Sequence, residues 1–66
     1  MEKFVVTVHM VSGRSYEKTV ESESQKRAIT DALVPTGEGT FLIDDDMGRS
    51  IRLYKRNIES VESMDA

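Results

Sequence analysis

The sequence predicts an α+β domain: a small antiparallel β-sheet with one helix, in the order β-β-α-β-β, and a fifth short strand if the last segment divides in two. Three observations carry this. The N-terminal third alternates apolar and polar residues on both sides of a glycine turn. A single stretch in the middle switches to helical spacing. The C-terminal part returns to alternation around an aspartate-rich turn ending in Gly48. Period-two runs separated by turn residues read as hairpins, and hairpins flanking one helix place that helix on a face of the sheet.

The first strand runs from Phe4 to Val11. Phe4, Val6, Val8 and Met10 fall on one face, and Val5, Thr7, His9 and Val11 on the other. Both faces are unusually apolar for a strand of a one-helix fold. Ser12–Arg14 is the turn, with Gly13 able to take positive φ. Tyr16, Lys18 and Val20 then alternate with Glu17, Thr19 and Glu21, giving a half-exposed second strand.

Ser22 followed by Gln25 has the form of a capping box, with Ser24 as a rival cap. Ala28, Ile29, Ala32 and Leu33 recur at helical spacing, so a short helix is expected from about Glu23 to Leu33. Pro35 disfavours helical geometry at Val34 and stops it. The segment PTGEGT reads as a loop. Its glycines do not make a phosphate-binding loop, because Gly39 is followed by Thr40 and Phe41 rather than by Lys and Ser or Thr.

Phe41 and Ile43 open the third strand, DDDMG turns the chain, and Ile51 and Leu53 lie on the fourth. Ile58 and Val61 stand three apart, which breaks alternation. A tight turn at KRN (Lys55–Asn57) is expected to restore it, leaving a bent or two-part final strand. Residues after Val61 are expected to fray.

Length and composition narrow the function classes. A chain of 66 residues is one domain, residues 1–66, and a domain of this size buries only about 60% of its unfolded surface. With no cysteine, neither disulfides nor thiolate metal sites can reinforce it, and the single histidine, His9, cannot build a His-rich metal site. Self-association is the remaining remedy. The second, apolar face of the first strand also asks for a cover, so a homodimer is expected. No apolar run approaches the roughly 18 residues of a membrane span. The N-terminus alternates like a strand and lacks a small-residue cleavage site, so it is not read as a signal peptide. A cytoplasmic protein without membrane contact is the expectation.

The chemistry-bearing residues cluster between Phe41 and Ser63. Asp44, Asp45 and Asp46 offer oxygen ligands for a hard cation. An EF-hand loop opening at Asp44 would need an acid, glycine and glutamate where Gly48, Arg49 and Lys55 stand. No metal and no cofactor are therefore expected. His9 has no cysteine or specified serine beside it, and no serine lies in a nucleophile elbow, so no catalytic residues are assigned and the chain is not read as an enzyme.

Two binding readings remain. Arg49, Arg52, Lys55 and Arg56, with Tyr54 interleaved, form a basic stripe able to grip phosphates and stack a base. Against it, the whole net charge of −3 lies in the C-terminal half: residues 1–35 hold five acids and five bases, residues 36–66 seven acids and four bases. An acidic surface of Asp44, Asp45, Asp46, Glu59 and Glu62 can satisfy the Lys and Arg donors that a basic protein otherwise offers to phosphates.

A cysteine-free strand-hairpin-helix-hairpin of this size, acidic toward its end, resembles small bacteriophage proteins that disable a host protein. Some of these are dimers, and some imitate DNA to block nucleoid proteins, polymerases or repair enzymes. The segment SIRLYKRNIESVE also resembles the closing strand-turn-strand of Sm-like barrels. The phage resemblance implies a non-enzymatic inhibitor, acting in the host cytoplasm, whose partner is a basic, nucleic-acid-binding host protein. Direct binding of nucleic acid through the Arg49–Arg56 stripe is the alternative.

Overall fold

The computed structural model describes residues 1–66. The elements are β1 (Glu2–Met10), β2 (Ser15–Ser22), α1 (Gln25–Ala32), β3 (Val34–Gly37), β4 (Thr40–Asp44), β5 (Ser50–Tyr54) and β6 (Ile58–Asp65), with a 3₁₀ turn at Lys55–Asn57 between the last two. The class is α+β, as expected. The strands form two antiparallel three-stranded sheets rather than one: β2-β1-β6 and β3-β4-β5. The 3₁₀ turn carries the chain from the edge of the second sheet to the edge of the first.

β1 is the centre of the first sheet and the spine of the fold. Phe4, Val6 and Val8 are buried on its inner face. α1 covers the end of that face near Phe4 and Val6, and the second sheet covers the end near Val8. Ala28 and Ala32 join Phe4 and Val6 in one core cluster, where small side chains let the helix approach the sheet closely. Ile43 and Leu53 join Val8 and Leu33 in a second cluster. Ile29 and Val61 touch both.

The outer face of β1 differs from the apolar surface expected. Val5 and His9 are half-buried and Thr7 is buried. Their cross-strand neighbours are Thr19 and Met64 for Val5, Glu17 and Glu62 for Thr7, and Ser15 and Ser60 for His9. The pattern within β1 does not report this, because a central strand is covered sideways by the strands on either side of it.

Ser24, not Ser22, caps the helix: its Oγ accepts from the Arg27 N–H at 3.1 Å. The buried Ser22 hydroxyl donates instead to Asp31 Oδ2 at 2.8 Å. α1 is accordingly shorter than the expected Glu23–Leu33 segment, and Leu33 closes it with an N–H bond to the Ile29 carbonyl at 3.2 Å.

Two further expectations are corrected. Much of PTGEGT is not loop: Val34–Gly37 is β3, paired antiparallel with β4. Pro35 is tolerated because β3 lies at a sheet edge, and the register shifts between Pro35 and Gly37. The chain also continues as strand beyond Val61. β6 pairs with β1 as far as Phe4↔Asp65, the Ala66 N–H donates to the Lys3 carbonyl at 3.1 Å, and Gln25 donates to Asp65 at 3.2 Å. The three-residue spacing of Ile58 and Val61 has its cause in a bulge. Met10 pairs with Ile58 and His9 with Ser60, so Glu59 is the extra residue and both apolar side chains turn inward.

Candidate functional site

The three adjacent aspartates take three different partners. Asp45 is the anchor of the β4–β5 turn. Its Oδ1 accepts from the Arg49 N–H at 2.8 Å, and its Oδ2 accepts from Arg49 Nε at 2.9 Å and Nη2 at 2.8 Å. The backbone closes the same turn, with Asp45 N–H to the Arg49 carbonyl at 2.9 Å and Gly48 N–H to the Asp45 carbonyl at 3.1 Å. Gly48 takes φ +83°, a left-handed conformation that suits glycine. Burial pushes the Asp45 carboxyl up, but the Arg49 backbone and side-chain donors, the Arg49 charge and the Met47 N–H outweigh it. The net result is a pKa below the usual carboxylate value.

Asp46 fastens the turn to the first sheet. Its N–H donates to the Glu17 carbonyl at 2.9 Å, and its carboxylate accepts from the Thr19 N–H at 2.9 Å and the Thr19 hydroxyl at 2.7 Å. The Glu17 carbonyl and the Thr19 N–H lie on the free edge of β2, so Asp46 blocks the middle of that edge. Asp44 accepts from the Ser50 hydroxyl at 2.6 Å. The carboxylates therefore diverge, and no group of three or more acidic or histidine side chains is drawn together around a metal-sized space.

The remaining acids of the expected partner surface lie on β6. Glu59 is the exposed bulge residue. Glu62 pairs with His9 at 2.7 Å. Of the five, Asp45 is closed to a partner, because its side chain is 1% exposed. Glu17 joins this surface although no sequence signal points to it. It faces outward beside Thr7, directly across β1 from Glu62. Only strand register reveals that pairing, since the two glutamates are far apart in the chain.

The basic stripe also divides. Arg49 is spent on Asp45, and its guanidinium carbon lies 5.6 Å from the centroid of the Tyr16 ring. Arg52 and Tyr54 alternate with the inward-facing Ile51 and Leu53, so both stand on the outer face of the second sheet, where Arg52 pairs with Leu42 and Tyr54 with Thr40. Lys55 and Arg56 follow on the 3₁₀ turn. Arg56 lies 5.7 Å from the Tyr54 ring centroid, a cation–π arrangement. The Lys55 N–H donates to the Gly39 carbonyl at 2.8 Å and ties the β3–β4 turn to this corner. A shallow cleft results, lined by Glu38, Gly39, Thr40, Tyr54, Lys55 and Arg56.

The ion pairs of the chain are Arg27–Asp31 and Arg49–Asp45, and His9 is hydrogen-bonded to Glu62. Arg52, Lys55 and Arg56 belong to none of them. Glu17 and Glu62 stand on the outer face of the first sheet, while Arg52, the exposed Tyr54 and Asp44 share the outer face of the second, with Lys55, Arg56 and Glu38 at the turn beside it. No helix is long and apolar enough to cross a membrane. Comparison with family models, with curated proteins and with solved structures finds no match to this chain.

Proposed function

We propose that this chain is a non-enzymatic binding module that holds single-stranded nucleic acid on the outer face of its second sheet. One observation carries the reading: Arg52, Lys55 and Arg56 have no acidic partner within the chain and surround Tyr54, which is 47% exposed. Unpaired cations release counterions when they meet phosphates, and an exposed aromatic ring offers a stacking surface to any base. The intrachain pairing of Asp45 with Arg49 leaves less acid near this face than the DDD run suggests.

The test is fluorescence anisotropy of a short labelled oligonucleotide titrated with the protein. Binding should weaken as salt rises, and Tyr54→Ala should cost about 1–3 kcal/mol. A wild-type protein that leaves the anisotropy unchanged at low salt would remove this reading.

A second reading rests on the opposite face. Glu17 and Glu62 flank Thr7 across three strands, with Asp46 at the β2 edge. This acidic surface suits an inhibitor of bacteriophage type that takes the place of DNA on a basic host protein. It predicts no binding to the oligonucleotide, and release of the oligonucleotide from a basic nucleic-acid-binding protein added to the same assay. Glu17→Gln with Glu62→Gln should abolish that competition.

A further inference from the structure

We propose that the free edge of β6 is the interface with a second copy of this chain, with the twofold axis at Ser63. The proposal is independent of the nucleic-acid reading. The first sheet has two edges, β2 and β6. Asp46 occupies the middle of the first, bonding the Glu17 carbonyl and the Thr19 N–H, so a second strand cannot run along it unbroken. Nothing comparable closes the second, which is eight residues long. An open edge of this length presents a row of unpaired backbone donors and acceptors.

The register says which groups those are. The Ala66 N–H bond to the Lys3 carbonyl sets the alternation of the antiparallel ladder. Met64, Glu62 and Ser60 therefore bond to β1, while Val61, Ser63 and Asp65 turn their N–H and carbonyl groups outward. Ser63 adds a second observation. Its Oγ is the one buried side-chain polar atom of the chain without a hydrogen-bond partner. A buried hydroxyl without a partner is costly.

Antiparallel pairing of two β6 strands about Ser63 answers both. Ser63 meets the partner's Ser63, Val61 meets the partner's Asp65, and each pair exchanges backbone hydrogen bonds. The two Ser63 side chains come side by side on the inner face, and rotation about χ1 turns each hydroxyl from its buried position toward the other, as Ser and Thr bond across strands. On the outer face Glu62 lies beside the partner's Met64, which is 56% exposed in the single chain. Shifting the axis to Glu62 would set Glu62 against the partner's Glu62, a like-charge pair. Shifting it to Val61 would draw the Glu59 bulge into the ladder. The Ser63 axis avoids both and joins the two first sheets into one continuous sheet.

Sedimentation velocity over a dilution series tests this on the full chain. The wild type should dissociate from dimer to monomer on dilution. Met64→Glu sets two like-charge pairs across the axis and should weaken the dimer roughly 2- to 30-fold, whereas Met64→Lys should strengthen it by a similar factor. Ser63→Pro removes an N–H that points away from β1 and should give a monomer with a native circular dichroism spectrum. If Ser63→Pro does not fold, the two Met64 variants decide by their opposite signs. A wild type that stays monomeric at millimolar concentration overturns the proposal. So do Met64 variants that shift the dimer in the same direction, or a folded Ser63→Pro that remains dimeric.

Discussion

Asp45 shows how one side chain settles the meaning of a motif. In the sequence it is the middle of three equivalent acids. In the fold it is buried and bonded to Arg49 through backbone and side chain, while Asp44 and Asp46 on either side are exposed. Its lowered pKa gives an acid-stability prediction with a definite sign. A depressed folded-state pKa adds stability that is complete above the ordinary carboxylate value of 3.8 and is lost as pH falls through the folded-state value. The melting temperature of the wild type should therefore drop below pH 3.8. Asp45→Asn should melt lower than the wild type at neutral pH, and the gap should narrow as the medium becomes more acidic. Parallel melting curves for both proteins from about pH 6 to about pH 2 check this; a constant gap would show that Asp45 does not titrate as argued.

Among the elements, α1 and β1 are the most legible in the sequence and β3 the least. The helix advertises itself through Ala28, Ile29, Ala32 and Leu33, which bury one side of a short cylinder whatever surrounds it. Its start depends on which serine reaches back to an N–H, a choice between Ser22 and Ser24 that spacing leaves open. Ser24→Ala should cost about 1 kcal/mol, the usual value of a missing N-cap. For a domain of this size that lowers the melting temperature by roughly 4–8 °C. Thermal denaturation followed by circular dichroism measures it, and an unchanged midpoint would place the cap elsewhere. β3 gives no such signal. Val34, Pro35, Thr36 and Gly37 are all exposed and carry no alternation, so only the pairing partner β4 makes them a strand. The bulge at Glu59 hides the end of β6 in the same way, since a bulge changes the phase of the alternation.

For the whole molecule, the mild net charge of −3 leaves a local group of free cations, Arg52, Lys55 and Arg56, beside the exposed Tyr54. Long-range attraction to a polyanion is weak in such a protein, and binding depends on local contacts that salt screens over about 10 Å at 0.1 M. On the nucleic-acid reading, Arg52→Ala or Arg56→Ala should reduce the slope of log affinity against log salt by about one unit for each phosphate no longer neutralised. Asp44→Asn should tighten binding, because Asp44 shares the outer face of the second sheet with Arg52. Titrations at several salt concentrations give both results; an unaltered slope would mean these arginines do not touch phosphate. The core is equally exacting. Val8 is fully buried between the two sheets, so Val8→Asp places an unpaired carboxylate there and should prevent folding. A cooperative melt at the wild-type temperature would show that Val8 does not face the core.

Periodicity and turn chemistry are local properties, and they are enough for the class, for the β1–β2 hairpin, for the helix and for the inward residues of β4 and β5. Each depends on contacts within a strand or a helical turn, so the residues that report it are near neighbours in the chain. The pairing of β6 with β1 and the bonding of Asp46 to the β2 edge depend on residues 27 or more positions apart, such as Thr19 and Asp46 or His9 and Glu62. Side-chain pairing is of both kinds: Arg27–Asp31 and Arg49–Asp45 stand four residues apart and form locally, whereas His9–Glu62 and Thr19–Asp46 form only when distant strands come into register.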